Sequence, residues 1–177
     1  MRYFMSLIGL LSLVACNGGS NSNLASSTPA TQQSTPNIEG TYQLVRRELP
    51  DGTILLPPTV KGILTYTKEF RIFSVLWQDD TGKFYSESYV ARYTLTDEEY
   101  VETQEYLIVD DQIGGKGISY DLSDTTAKSK VAIDGERITF ALPQAFEQAL
   151  SVTLEFEGAK IKATGKDLFI DYWEKVS

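Results

Sequence analysis

The chain has 177 residues, with 16 basic against 24 acidic side chains, one cysteine and no histidine. Without an imidazole there is no Ser-His-Asp or Cys-His catalysis and no histidine-ligated metal site, and no cofactor is expected. A formal charge of −8 with no basic cluster excludes nucleic-acid binding, which needs lysines and arginines to displace counterions.

In chain order, Arg2 is followed by an apolar run over 4–14 and then by Leu13-Val14-Ala15-Cys16. A charged start, about 7–15 apolar residues and a small-residue cleavage site predict a secretory signal over 1–15. The run is too short for a membrane span, which needs about 20 apolar residues. Leu-Val-Ala-Cys resembles the lipobox of bacterial lipoproteins, Leu-x-[Ala/Gly]-Cys. That resemblance implies a diacylglycerol thioether on Cys16, cleavage before it and acylation of the new amine. The implied partner is the lipid bilayer, since two or more acyl chains hold stably at about 0.8 kcal/mol per buried CH₂. Asn17, where sorting-avoidance signals carry Asp, implies the outer membrane, with the protein facing the periplasm. Loss of residues 1–15 removes only Arg2 and leaves 15 basic against 24 acidic groups, a charge of −9. An acylated Cys16 leaves no thiol for a disulfide or for thiol catalysis, so stability must come from a core.

Residues 17–37, NGGSNSNLASSTPATQQSTPN, carry no charge and no aromatic group. With Cys16 they read as a lipidated, flexible polar tether over 16–37, spanning roughly 25 Å root-mean-square at about 5–6 Å × √n. The folded domain is then 38–177. Its runs of Val, Ile, Thr, Tyr and Phe are bounded by Gly, Pro and Asp, which predicts strands. They fall at 40–49, 61–67, 70–77, 83–96, 99–109, 118–122, 130–133, 137–143, 151–157, 160–165 and 168–176. PQAFEQAL (143–150), with Pro at a first-turn position and apolar residues at helical spacing, predicts one short helix. The fold expected is all-β: an antiparallel up-and-down barrel of about 8–10 strands, with closure leaving no edge to pair.

Gly114-Gly115-Lys116-Gly117 lacks the spacing and the hydroxyl residue of a phosphate loop and reads as a hairpin tip. Asp97, Glu98, Glu99, Glu102 and Glu105, and the pairs Asp79-Asp80 and Asp110-Asp111, follow no calcium-loop spacing. They read as solvated turn carboxylates, and no metal site is expected. The sharpest binding signal is KFYSESYVARYTL (83–95). A period of two puts Tyr85, Glu87, Tyr89, Ala91, Tyr93 and Leu95 on one face. Turned inward, Glu87 among tyrosines would orient a polar-ended ligand, with Arg71 or Arg46 as its counter-charge; turned to a rim, the same residues simply cover the wall.

GTYQLVRRELPDGTILLPPTVKGILTYTKEFRIFSVL (40–76) and YWEKV (172–176) resemble the bacterial lipocalin-like domain family. Tyr42 stands where lipocalin barrels carry a bottom-closing Trp, and Lys175 where they carry Arg. The resemblance implies an up-and-down barrel whose interior takes a small apolar ligand. Tyr42, Arg71, Tyr85, Glu87, Tyr89 and Tyr93 form the candidate ligand set. The leading expectation is a non-catalytic, membrane-anchored barrel that binds or carries a small hydrophobic molecule. The alternative is a structural or protein-interaction module of the envelope, with Trp77 or TILLPP (53–58) as its contact.

Overall fold

Two-residue alternation runs through nearly every segment of the domain, and it builds strands throughout. The computed structural model describes residues 36–142 and 151–176. Cys16, the signal segment and the expected helix at 143–150 lie outside the described residues. Twelve strands follow in order: β1 (Gly40–Glu48), β2 (Ile54–Leu55), β3 (Val60–Tyr66), β4 (Phe70–Gln78), β5 (Phe84–Leu95) and β6 (Glu99–Asp111). Then come β7 (Gly117–Asp121), β8 (Thr126–Asp134), β9 (Arg137–Ala141), β10 (Val152–Glu157), β11 (Lys160–Gly165) and β12 (Phe169–Lys175).

Each barrel strand pairs antiparallel with the next, and β12 returns to pair with β1, so the sheet closes on itself. Ten strands form this up-and-down barrel. The two-residue β2 adds to β1 outside the closure, and β7 extends the edge of β6. Gly135, at φ 62°, takes the first place in the two-residue turn between Asp134 and Arg137, a backbone geometry that a side chain would strain. The Gly114–Gly117 stretch forms the turn from β6 to β7, as a hairpin tip should.

One end of the barrel is plugged by rings. Tyr66 meets Tyr93 and Phe156 edge-on, while Tyr100, Phe140 and Phe156 stack in a row at 4.3 Å and 5.6 Å between centroids. Such pairs contribute about 0.5–1.5 kcal/mol each beyond their burial. The chain entering β1 crosses this end: Ile38 is buried, and Tyr42 donates to its carbonyl at 3.1 Å. Lys175 lies over the Tyr42 ring at 5.8 Å and donates to the Glu39 carbonyl at 2.7 Å. An aromatic group on the first strand and a cation on the last thus meet where the barrel closes.

Two β-bulges decide which side chains enter. In β1, Leu44 pairs with Trp173 and Arg46 with Tyr172, so Val45 is the extra residue. In β6, Gln104 pairs with Ala91 and Tyr106 with Val90, so Glu105 is extra. An inserted residue shifts the alternation by one. In β1 the inward set therefore changes from Tyr42 and Leu44 to Arg47; in β6 it changes from Tyr100, Glu102 and Gln104 to Leu107. Glu105 is left on the outer side, where it pairs with Arg92 at 2.6 Å.

Trp173 is the keystone of the apolar interior. It is 1% exposed, packs on Phe73 at 6.0 Å, and rests against the backbone of β3 where Gly62 has no side chain. A Cβ at that position would stand 2.7 Å from the Trp173 ring and 3.2 Å from the Leu44 Cβ. Gly62→Ala should therefore destabilise the barrel by about 1–3 kcal/mol through overpacking. Urea unfolding monitored by tryptophan fluorescence checks this, and an unchanged midpoint would show that Trp173 can move aside.

Candidate functional site

Above the aromatic plug lies a polar layer. Glu102, from β6, is fully buried, and Arg71, from β4, is 3% exposed. Arg71 Nη1 lies 3.4 Å from both Glu102 oxygens. Tyr89 donates to Oε1 at 2.6 Å, and Tyr100 donates to Oε2. Two phenols and a guanidinium thus converge on one carboxylate, which satisfies a charge that burial would otherwise make very costly. Glu102 is no solvated turn carboxylate: the β6 strand carries it into the interior on the Tyr100 face.

Beyond this layer the barrel opens into a cavity of about 330 Å³, at the small end of the roughly 300–1,000 Å³ range of ligand pockets. Leu64, Phe73, Val75, Leu154, Ala163 and Trp173 supply apolar walls, and Arg71 supplies part of the floor. Leu49, Leu142, Leu168 and Phe169 also line it, from the end where β4 hands over to β5 and β11 to β12.

A second charge pair sits in this wall. Arg47 Nε donates to Asp171 Oδ1 at 2.6 Å and Nη2 to Oδ2 at 2.7 Å, a bidentate geometry. Its guanidinium carbon lies 4.5 Å from the Trp77 centroid and 4.4 Å from that of Phe169. The cation is therefore held between two rings as well as by a carboxylate. Burial pushes the Asp171 carboxyl above its ordinary range, and the bonds from Arg47 pull it back only in part.

The six candidate ligand residues fall into two groups. Arg71, Tyr85 and Glu87 line the cavity, with the Tyr85 ring packed on Trp77 at 4.0 Å between centroids and tilted by 34°. Tyr42, Tyr89 and Tyr93 are buried below it: Tyr42 and Tyr93 in the aromatic plug, Tyr89 on Glu102. The inward phase of β5 is as the alternation predicts. Arg46, weighed as a counter-charge for Glu87, faces outward instead, bridging to Glu48 at 3.0 Å and stacking on Tyr172. The Val45 bulge brings Arg47 inside in its place. Trp77, weighed as an exposed contact, lines the cavity; Ile54 and Leu56 of TILLPP are exposed. Sequence reasoning missed Arg47, Glu102 and Asp171. The signal for Asp171 was its place two residues before Trp173, on the same face of the last strand.

Burial raises the phenols of this interior. Tyr93, whose hydroxyl donates to the Thr67 carbonyl, is pushed up to about 12, chiefly by desolvation. Desolvation, with Glu102 adding to it, raises Tyr66, Tyr89 and Tyr100 further. A group whose folded pKa is raised contributes stability that is present below its unfolded value and lost as pH rises through the folded one. The barrel should accordingly lose stability from about pH 10 upward, with these tyrosines ionising only as it unfolds. An absorbance titration at 295 nm alongside circular dichroism tests this; full ionisation with the strands intact would contradict it.

The chain matches no protein-family model, no curated protein and no solved structure.

Proposed function

We propose that this chain is a lipid-anchored envelope protein whose barrel binds a small hydrophobic ligand without chemically changing it. The observation that carries the reading is the cavity: about 330 Å³, walled by leucine, valine and aromatic side chains, with charge confined to a few oriented groups. Apolar walls with a few fixed polar groups are how pockets combine affinity with orientation. The anchor rests on Leu13-Val14-Ala15-Cys16 and on the uncharged tether behind it. Both support attachment at a bilayer, where apolar small molecules concentrate, and Asn17 favours the outer membrane.

Two experiments test the two halves of this reading. Native mass spectrometry followed by organic extraction should find a co-purifying apolar molecule in the chain. The uncharged dye N-phenyl-1-naphthylamine should compete for the same space and quench tryptophan fluorescence. Ala163→Phe, which fills the cavity from its wall, should abolish the quenching in a still-folded barrel. A bare mass and no quenching in the parent would remove ligand binding from the reading. For the anchor, Cys16→Ala should move the protein from the membrane to the soluble fraction. Retention of the variant in the membrane would refute lipidation as the attachment.

A further inference from the structure

The charges that reach the interior do not balance. Among the described residues, Arg47 and Arg71 are the buried cations, Glu102 and Asp171 the buried anions, and Glu87 lines the cavity as a third carboxylate. With all five ionised the interior carries one net negative charge. This sum holds whichever arginine Glu87 leans toward.

The entrance has the same sign. Among the described residues, the turns at the open end, 49–53, 79–83, 111–116 and 166–168, carry five aspartates against three lysines. A low-dielectric pocket beneath a rim of net negative charge focuses that potential, drawing in cationic ligands and repelling anionic ones. The aromatic groups point the same way. Glu87 follows Tyr85 on the same face of β5, the Tyr85 ring packs at a tilt on Trp77, and Trp77 already carries the Arg47 cation on its face. Ring faces beside a carboxylate form a setting for an ammonium group, which aromatic quadrupoles and a negative charge both attract.

Building on the ligand-binding reading above, we propose that the cavity selects an apolar amine, its cationic head at Glu87 and Tyr85 and its chain among Leu64, Val75 and Leu154, and rejects fatty acids. At about 30 Å³ per water-sized group, an eight-carbon chain with its head group fits within 330 Å³. A carboxylate in the same place would add a second negative charge to the interior and would have to take Arg47 or Arg71 from its partner.

The test is a set of three probes of one chain length on the full chain at pH 7 and low salt: octylamine, octanol and octanoate. Affinities are read from displacement of N-phenyl-1-naphthylamine. Octylamine should bind at least about tenfold more tightly than octanoate, with octanol between, and the gap should narrow as salt is raised. Glu87→Gln should bring the affinity for octylamine down toward that for octanol. Octanoate binding as tightly as octylamine would overturn the selectivity while leaving the cavity reading in place. Failure of all three probes and of the dye would overturn both. The parent comparison stands without the variant, so a misfolded Glu87→Gln would not shield the proposal.

Discussion

Replacing Glu102 by alanine should cost the barrel about 3–5 kcal/mol, which is a large part of the roughly 5–15 kcal/mol that holds a domain of this size together. Glu102 has no exposed surface, and three donors converge on its two oxygens: Arg71, Tyr89 and Tyr100. Alanine removes the acceptor for both phenols and leaves the Arg71 charge buried without the carboxylate it pairs with. Glu102→Gln keeps the shape and one acceptor oxygen, so its loss should be clearly smaller. The double variant Arg71→Met, Glu102→Leu removes charge and counter-charge together and should recover part of the stability, the rest staying lost because the Tyr89 and Tyr100 hydroxyls still lack their acceptor. Urea unfolding of the parent and the three variants gives the ordering. A Glu102→Ala midpoint equal to that of the parent would show that solvent reaches the layer and that it does not hold the interior together.

This residue also marks the limit of what the sequence discloses. Alternation is a local property, so the inward face of β5, with Tyr85, Tyr89 and Tyr93, was legible from residue spacing, and so were the closed antiparallel barrel and the hairpin at Asp134-Gly135. A bulge is set by the pairing of two strands, and nothing in Val45 or Glu105 announces one. Reading straight through β1 puts Arg46 on the wrong face and hides Arg47. Reading β6 as one acidic stretch groups Glu102 with Glu105, although one lies in the core and the other on the surface. The residues themselves do not mark the bulge: Tyr100 and Val101 stand at both parities before it, and Tyr106, Leu107, Ile108 and Val109 at both after it. Only a register can say where such a change of phase occurs. The cavity was legible in kind and not in place. Its floor and much of its wall come from β1, β4 and β12, which meet through closure between residues more than 120 positions apart.

Both charge pairs sit where apolar walls would suffice for stability alone, and their value is orientation. Arg47 is fixed by two bonds and two rings, so its charge is engaged in the wall and holds its place without moving. Arg71 is fixed by Glu102 in the floor. A pocket lined this way offers a ligand a static pattern of charge with little left to reorganise on binding, and such preorganisation raises affinity by lowering the cost of ordering. In the proposed amine site, Glu87 is the carboxylate that sets the sign of the interior.

Asp171→Ala is the second substitution expected to cost about 3–5 kcal/mol, since it leaves the Arg47 guanidinium in the wall with its bidentate acceptor gone. The direction of the Asp171 shift adds a second, independent readout. Its folded pKa lies above the ordinary carboxyl value, burial outweighing Arg47. A raised pKa means that the folded state binds the proton more tightly than the unfolded state does. The Asp171 contribution is therefore fully present below the unfolded value of about 3.9 and is lost as pH rises through the window above it. Asp171→Asn mimics the protonated side chain and keeps an acceptor for Arg47. It should be much milder than alanine, and its stability profile should lack the decline that Asp171 contributes as pH rises above about 4. The double variant Arg47→Met, Asp171→Leu should unfold close to the parent midpoint while changing the electrostatic pattern of the cavity wall. Urea midpoints measured from pH 4 to 8 for the parent and these variants decide the matter. If Asp171→Asn costs as much as alanine, and the parent gains stability as pH rises through that window, the ion pair itself and not the filling of the wall holds β1 against β12.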